Sequence, residues 1–263
     1  FHRNTLHIFL KRTIHLKNII VIVDEAHIAS KHNQSLHSLY KSLNFYDKKH
    51  LYNSNIKLIH FTATPEFLEK DISLYWKLSS KIIRMDVPYS YLSHDKLQQQ
   101  SLLFPMKDLT KFDFQNFTYD SQTLLNIQEL LPHIYNFKTP KFHIIRTPRS
   151  SKHFITIHNF RFAFRNHDFN FISELFIDDF DHLLLSTPKK HTFIFIKDKF
   201  RCAKTFHHSN IGILYERFVH KPNHSTILQS LYGRATGFHS HKHIVFSTSF
   251  AVNHKYAKSF FAF

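Results

Sequence analysis

The run IIVIVDEAHIAS, Ile19 to Ser30, places five apolar residues directly ahead of two carboxylates and a histidine, residue types suited to metal-assisted phosphate chemistry. An apolar strand ending in Asp24 and Glu25 delivers both carboxylates to the carboxyl edge of a buried parallel sheet, the edge where open α/β sheets bind ligands. There Asp24 would hold Mg²⁺, in part through water, and Glu25 would orient and deprotonate a water attacking a terminal phosphate. The same letters also describe a strand end with solvated acids, Asp24 capping the next helix. The pair alone does not separate the two readings.

Two further stretches supply context. FTATP, Phe61 to Pro65, follows a second apolar run, so the hydroxyls of Thr62 and Thr64 fall at a neighbouring carboxyl edge, within reach of His27 and the carboxylates. Thr and Pro after a strand are also ordinary turn chemistry. Far downstream, ILQSLYGRATGF, Ile227 to Phe238, gathers Gln229, Gly233 and Arg234 near the start of an expected helix. A fixed arginine of this kind is worth about 10³ to 10⁵ in rate in nucleotide hydrolases; otherwise it is a surface arginine beside a turn glycine.

The elements needed to position these groups are legible as alternating β and α patterns. Short β-branched or aromatic runs read as strands at Ile19 to Val23, Ile56 to Phe61 and Lys81 to Val87. A second set reads at Lys141 to Thr147, Phe169 to Ser173, His191 to Lys197, Ile211 to Phe218 and His243 to Ser249. Between the first two strands, Leu36, Leu39, Tyr40 and Leu43 have helical spacing, and SQTLLNIQELLPHIY predicts one amphipathic helix ending near Pro132. No repeat links the two halves, and no low-complexity tract forms a linker.

Composition bounds the function class. The chain has 263 residues, 43% of them hydrophobic, enough for two cores. Lys and Arg number 35 against 19 Asp and Glu, a formal charge of +16, which favours polyanionic partners, nucleic acid first among them. The lone cysteine, Cys202, excludes an internal disulfide and any Cys-rich zinc site and fits a reducing compartment. No apolar run reaches the roughly 20 residues of a membrane-spanning helix, so a soluble intracellular protein without membrane contact is expected.

VDEAH, TATP and QSLYGRATG, in this order on alternating βα units, resemble motifs II, III and VI of the superfamily 2 DExD/H-box helicases. With the neighbouring HTFIFIKDKFRCAKT they look most like the helicases of large nucleocytoplasmic DNA viruses, which implies host cytoplasm or virion as the location. The resemblance implies an α/β fold of two RecA-like lobes with mainly parallel sheets, the first lobe incomplete. Residues 1–88 would be the carboxyl-terminal part of lobe 1, 89–140 a connector with one helix, and 141–263 lobe 2. It implies ATP and Mg²⁺ as cofactors, with Asp24 on the metal, Glu25 in catalysis and His27 coupled to Thr62 and Thr64. Gln229, Gly233 and Arg234 would face the γ-phosphate from lobe 2, and closure on ATP would move one lobe along the nucleic acid, DNA favoured over RNA.

The chain departs from the family pattern in places. It has no G-x-x-x-x-G-K-[ST] phosphate loop, and its three glycines, Gly212, Gly233 and Gly237, cannot form one; loss by truncation ahead of Phe1 is the expected cause. Three residues rather than two separate Gln229 from Gly233, Gly237 stands at the second arginine position of motif VI, and Lys197 to Thr205 lacks a Gly-Asp pair. A basic nucleic-acid-binding module with a vestigial ATPase fold is therefore the alternative.

Two other constellations are candidates. IIRTPRSSKH sets Arg146, Arg149, Ser151 and Lys152 at a strand end, suited to phosphate contacts, with Phe154 and Phe160 nearby for stacking or for the core. HSHKH alternates His239, His241 and His243 as strand residues would, so three imidazoles on one face would suit a soft divalent ion, with a solvated basic stretch as the other reading. His207, in FHHS, carries less of a ligand pattern. No G-x-S-x-G or H-E-x-x-H anchors an esterase or zinc-protease reading.

Overall fold

A computed structural model describes residues 8, 12–13, 15–24, 26, 34–62, 71–77, 79–83, 88–197, 206–221 and 231–252. The chain divides into two units, Phe1–Met85 and Asp86–Phe263.

In the first unit β1 (Ile19–Val23) and β2 (Ile56–His60) pair in parallel, Ile19 opposite Ile56 through Val23 opposite His60. Helices α1 (Ser35–Ser42) and α2 (Lys48–Asn53) lie between them in sequence, giving the expected βαβ order. Asn18 and Asn55 precede the two strands with φ of 57° and 48°, and their side chains are bonded at 3.0 Å. Asn tolerates this left-handed turn better than most residues. Leu36, Leu39 and Tyr40 of α1 are buried with Leu43, Phe45, Ile56 and Trp76, whose indole donates to the Phe45 carbonyl at 3.0 Å.

Strand β1 differs from the doubly buried strand expected. Ile20 and Ile22 are 60% and 63% exposed, while Ile19, Val21 and Val23 pack on the core. Strand side chains alternate, and among the described residues the core covers only one face of the pair. The strand expected from Lys81 is also absent over Lys81–Ile83, which is irregular; residues 84–87 lie outside the described set.

The second unit begins with α3 (His94–Gln99), β3 (Leu103–Pro105) and a small antiparallel pair, β4 (Phe112–Asp113) with β5 (Thr118–Tyr119). Next come α4 (Ser121–Gln128), α5 (Leu131–Tyr135), β6 (Phe142–Arg146), α6 (Lys152–Ala163), β7 (Asn170–Ser173) and α7 (Phe180–Leu185). Strands β8 (Thr192–Ile196), β9 (Ile211–Tyr215) and β10 (Ile244–Ser247) lead to a last turn of helix, α8 (Ser249–Val252). Six strands form one all-parallel sheet in the order β3-β10-β9-β6-β8-β7, flanked by helices, an arrangement consistent with a RecA-like α/β fold. Strands β6, β8 and β9 are buried at every position, the mark of a central parallel strand.

Residues 89–140 belong to this second unit rather than standing apart: β3 is an edge strand of its sheet, and α4 packs on α6. The single helix expected through SQTLLNIQELLPHIY is two, because Pro132 lacks an amide for the helical ladder and sits in the first turn of α5. Among the described residues, no helix is long and apolar enough to cross a membrane.

Gly212 permits close packing at the sheet's amino edge. A Cβ there would lie 2.9 Å from His143 Cε1 and 2.9 Å from Phe137 Cε2. Gly212→Ala is expected to destabilise the unit by about 1–3 kcal/mol through overpacking, read as a lower midpoint in urea unfolding.

The chain leaves β6 toward β7 and β8 on one side and returns to β9 and β10 on the other. The carboxyl ends of β6 and β9 therefore diverge at a topological switch point, the usual ligand crevice of open α/β sheets.

Candidate functional sites at the strand ends

In the first unit the ladder continues past the strands. The Phe61 amide donates to the Val23 carbonyl at 2.9 Å, and the Ala26 amide to the Phe61 carbonyl at 3.0 Å. Asp24, exposed, and Thr62, half-buried, therefore emerge side by side at one carboxyl edge. Glu25, His27 and Thr64 lie outside the described residues.

In the second unit, Gly233 and Arg234 sit half-buried in a 3₁₀ turn, Tyr232–Ala235, rather than in the helix start expected; Gln229 lies outside the described residues. The turn is closed by the Thr236 hydroxyl donating to the Gly233 carbonyl at 2.9 Å. Gly237 then adopts φ of 146°, where a side chain would be strained, and its amide and carbonyl pair with Leu92. Residues 198–205, covering nearly all of the expected motif V region and Cys202, are likewise outside the description.

At the switch point the candidate phosphate contacts divide. Arg146, the last residue of β6, is only 9% exposed, and its Nε lies 3.5 Å from Glu216 Oε1. Its charge is spent on a buried carboxylate, not on a solvated loop. Burial pushes the Glu216 carboxyl up, against the pull of the Arg146 guanidinium and the amides of Arg217 and Leu231. Glu216 was missed in the sequence, yet the signal was there: IGILYE is an apolar run ending in a carboxylate, the same pattern as IIVIVD.

Arg149, Ser151 and Lys152 are exposed at the start of α6. A buried network fixes that start. The Thr147 hydroxyl donates to the Ile196 carbonyl at 3.2 Å, so it accepts from His153 Nδ1 at 2.6 Å; His153 Nε2 then accepts from the Ser173 hydroxyl at 2.9 Å. Burial lowers the His153 pKa, with Lys197 adding to it, which keeps the ring neutral. With Thr147 and His153 fully buried and Ser173 5% exposed, the Ser–His pair has no access to substrate and acts as a brace.

Ser151 and Lys152 line an open cleft of about 410 Å³ with Lys111, Phe112 and Phe114 of the β4–β5 hairpin. Phe114 and Phe117 are 61% and 80% exposed at its tip, and the Lys197 ammonium lies 5.7 Å from the exposed Phe154 ring. Phe160, by contrast, is fully buried in the core. Two carboxylates also line the cleft, both engaged locally: Asp113 is held low by hydrogen bonds from Asn116, and Asp120 by those from Thr123, whose amide it caps. Cations and a hydroxyl beside exposed aromatic faces are what a single nucleic-acid strand requires. Lys111, Phe112 and Phe114 fall in a stretch without clear periodicity, where sequence gave no marker.

Comparison with models of known protein families finds no match, and neither does comparison with curated proteins.

Proposed function

We propose that the chain is part of an ATP-dependent superfamily 2 helicase or translocase coupling ATP hydrolysis to movement on nucleic acid, DNA favoured over RNA. The observation that carries this reading is the shared carboxyl edge of β1 and β2, from which Asp24 and Thr62, the described members of VDEAH and TATP, emerge side by side. The donors described there, the Asp24 carboxylate and the Thr62 hydroxyl, are oxygens, which suits Mg²⁺. Bound Mg²⁺ would neutralise charge developing on the phosphate oxygens. Glu25 would take the proton of the attacking water, and Arg234 would supply a fixed positive charge. Gly212 is enclosed within β9 and the Gly237 amide is taken by the Leu92 carbonyl, so neither cradles phosphate. The reading requires a phosphate loop ahead of Phe1, and coding sequence there without one removes hydrolysis from it.

A second reading, a basic nucleic-acid-binding module without hydrolysis, is favoured by the cleft, which belongs to the second unit alone. The full-length protein separates the two. On the first reading, single-stranded nucleic acid stimulates its ATP turnover; on the second, the nucleic acid binds without turnover. In either case Lys111→Ala with Lys152→Ala lowers the dependence of log K on log salt by about 1–2 units. Phe114→Ala weakens binding by about 1–3 kcal/mol. Unchanged binding in these variants places the nucleic acid elsewhere.

A further inference from the structure

Three histidines converge at the amino edge of the six-stranded sheet, away from the strand ends considered so far. His208 lies three residues before β9, and His243 immediately precedes its parallel neighbour β10. His239 comes from the segment following the Gly233–Arg234 turn. One ring nitrogen from each lies within 4.8 Å of the other two. HSHKH is irregular rather than a strand, and the third imidazole beside His239 and His243 is His208 rather than His241.

We propose that His208, His239 and His243 bind a divalent transition-metal ion of the zinc class, clipping the segment after the Gly233–Arg234 turn to the amino edge of β9 and β10.

The His243 tautomer suits this role. His243 is fully buried, and its Nδ1 lies 3.2 Å from the Ile211 carbonyl, which can only accept; Nδ1 therefore carries the proton and Nε2 presents a lone pair. A ligand histidine oriented through its other nitrogen is the usual outer-shell arrangement of metal sites. That Nε2 accepts a hydrogen bond from His208 Nδ1 at 2.8 Å, shorter than the ~3.3 Å separating two nitrogens of a tetrahedral site with metal–nitrogen bonds of about 2.0–2.1 Å, so a bound ion would replace this bond and His208 would move its proton to Nε2. The His239 ring stacks on His208, with centroids 3.7 Å apart, which sets a third imidazole against the pair.

An all-imidazole donor set selects Zn²⁺, Cu²⁺, Ni²⁺ or Co²⁺ and disfavours the hard ions Mg²⁺ and Ca²⁺, which separates this site from the oxygen donors beside Asp24. Three protein ligands leave a fourth position for water.

The test is equilibrium binding of Zn²⁺, and of Co²⁺ as a spectroscopic probe, to the metal-stripped full-length protein. The expected result is one tight equivalent per chain, the intense visible absorption of four-coordinate Co²⁺, and a Tm raised by Zn²⁺ and lowered again by chelator. His208→Ala and His239→Ala, neither at a fully buried position, each weaken binding at least about 100-fold and abolish the Tm rise, with circular dichroism confirming the fold. His207→Ala, an exposed neighbour, leaves both unchanged. Equal affinity in wild type, His208→Ala and His239→Ala, or Co²⁺ bound without the four-coordinate spectrum, overturns the proposal.

Discussion

Glu25→Gln in the full-length protein is expected to lower nucleic-acid-stimulated ATP turnover by about 10²- to 10⁴-fold while ATP still binds. The substitution keeps the size and shape of the side chain and removes only its capacity to take a proton. Asp24, the oxygen donor at the same strand end, is untouched, so on the proposed reading metal and nucleotide binding should persist. The loss should fall on kcat with KM little changed, the signature of a group acting in the transition state. Asp24→Asn should instead raise the Mg²⁺ concentration needed for half-maximal turnover. Turnover retained in Glu25→Gln removes Glu25 from the base role, whatever the behaviour of Asp24.

The strands were legible because their signal is local. TFIFI and IGILY are buried apolar runs of strand length, and each is a strand, the first within one residue of its expected bounds at either end and the second ending at Tyr215 rather than Phe218. The environment of a strand is not local. IIVIV is at least as apolar as those runs, yet Ile20 and Ile22 face outward, because coverage depends on elements distant in sequence. The same limit applies to side-chain partners. Nothing in IIRTPRSSKH tells Arg146, which turns inward to Glu216, from Arg149 three residues on, which is exposed. HSHKH showed its own histidines but not His208, 31 residues before His239, which only the parallel pairing of β9 with β10 brings to them. Several of the chain's 24 histidines acquire a physical account in the same way: His143 with His191, and His153 with Thr147 and Ser173, use imidazole as a compact hydrogen-bonding group in the interior.

The largest stability effect is expected at Glu216. Removing one member of a buried ion pair leaves the other charge uncompensated, at a cost of about 3–5 kcal/mol, whereas replacing both with apolar residues of similar volume is often neutral. Glu216→Leu and Arg146→Met should therefore each be strongly destabilising in urea unfolding, and the double variant should recover most of the loss. Strictly additive losses would show that the two side chains do not interact. The pH dependence has a definite sign. The folded-state pKa of Glu216 is raised by burial, so the folded protein binds the proton more tightly than the unfolded chain does. Its contribution to stability is thus fully present below the unfolded carboxylate pKa of about 4.3 and is lost as pH rises through the folded value. That dependence should vanish in the double variant. The Leu231 amide also favours the charged carboxylate, and Leu231 leads directly into the turn carrying Gly233 and Arg234. Glu216 consequently ties the ends of β6 and β9 to the proposed arginine finger. If Arg234 acts in hydrolysis, the double variant should regain stability while ATP turnover stays low, since an apolar pair restores the packing but not the anchor on that turn.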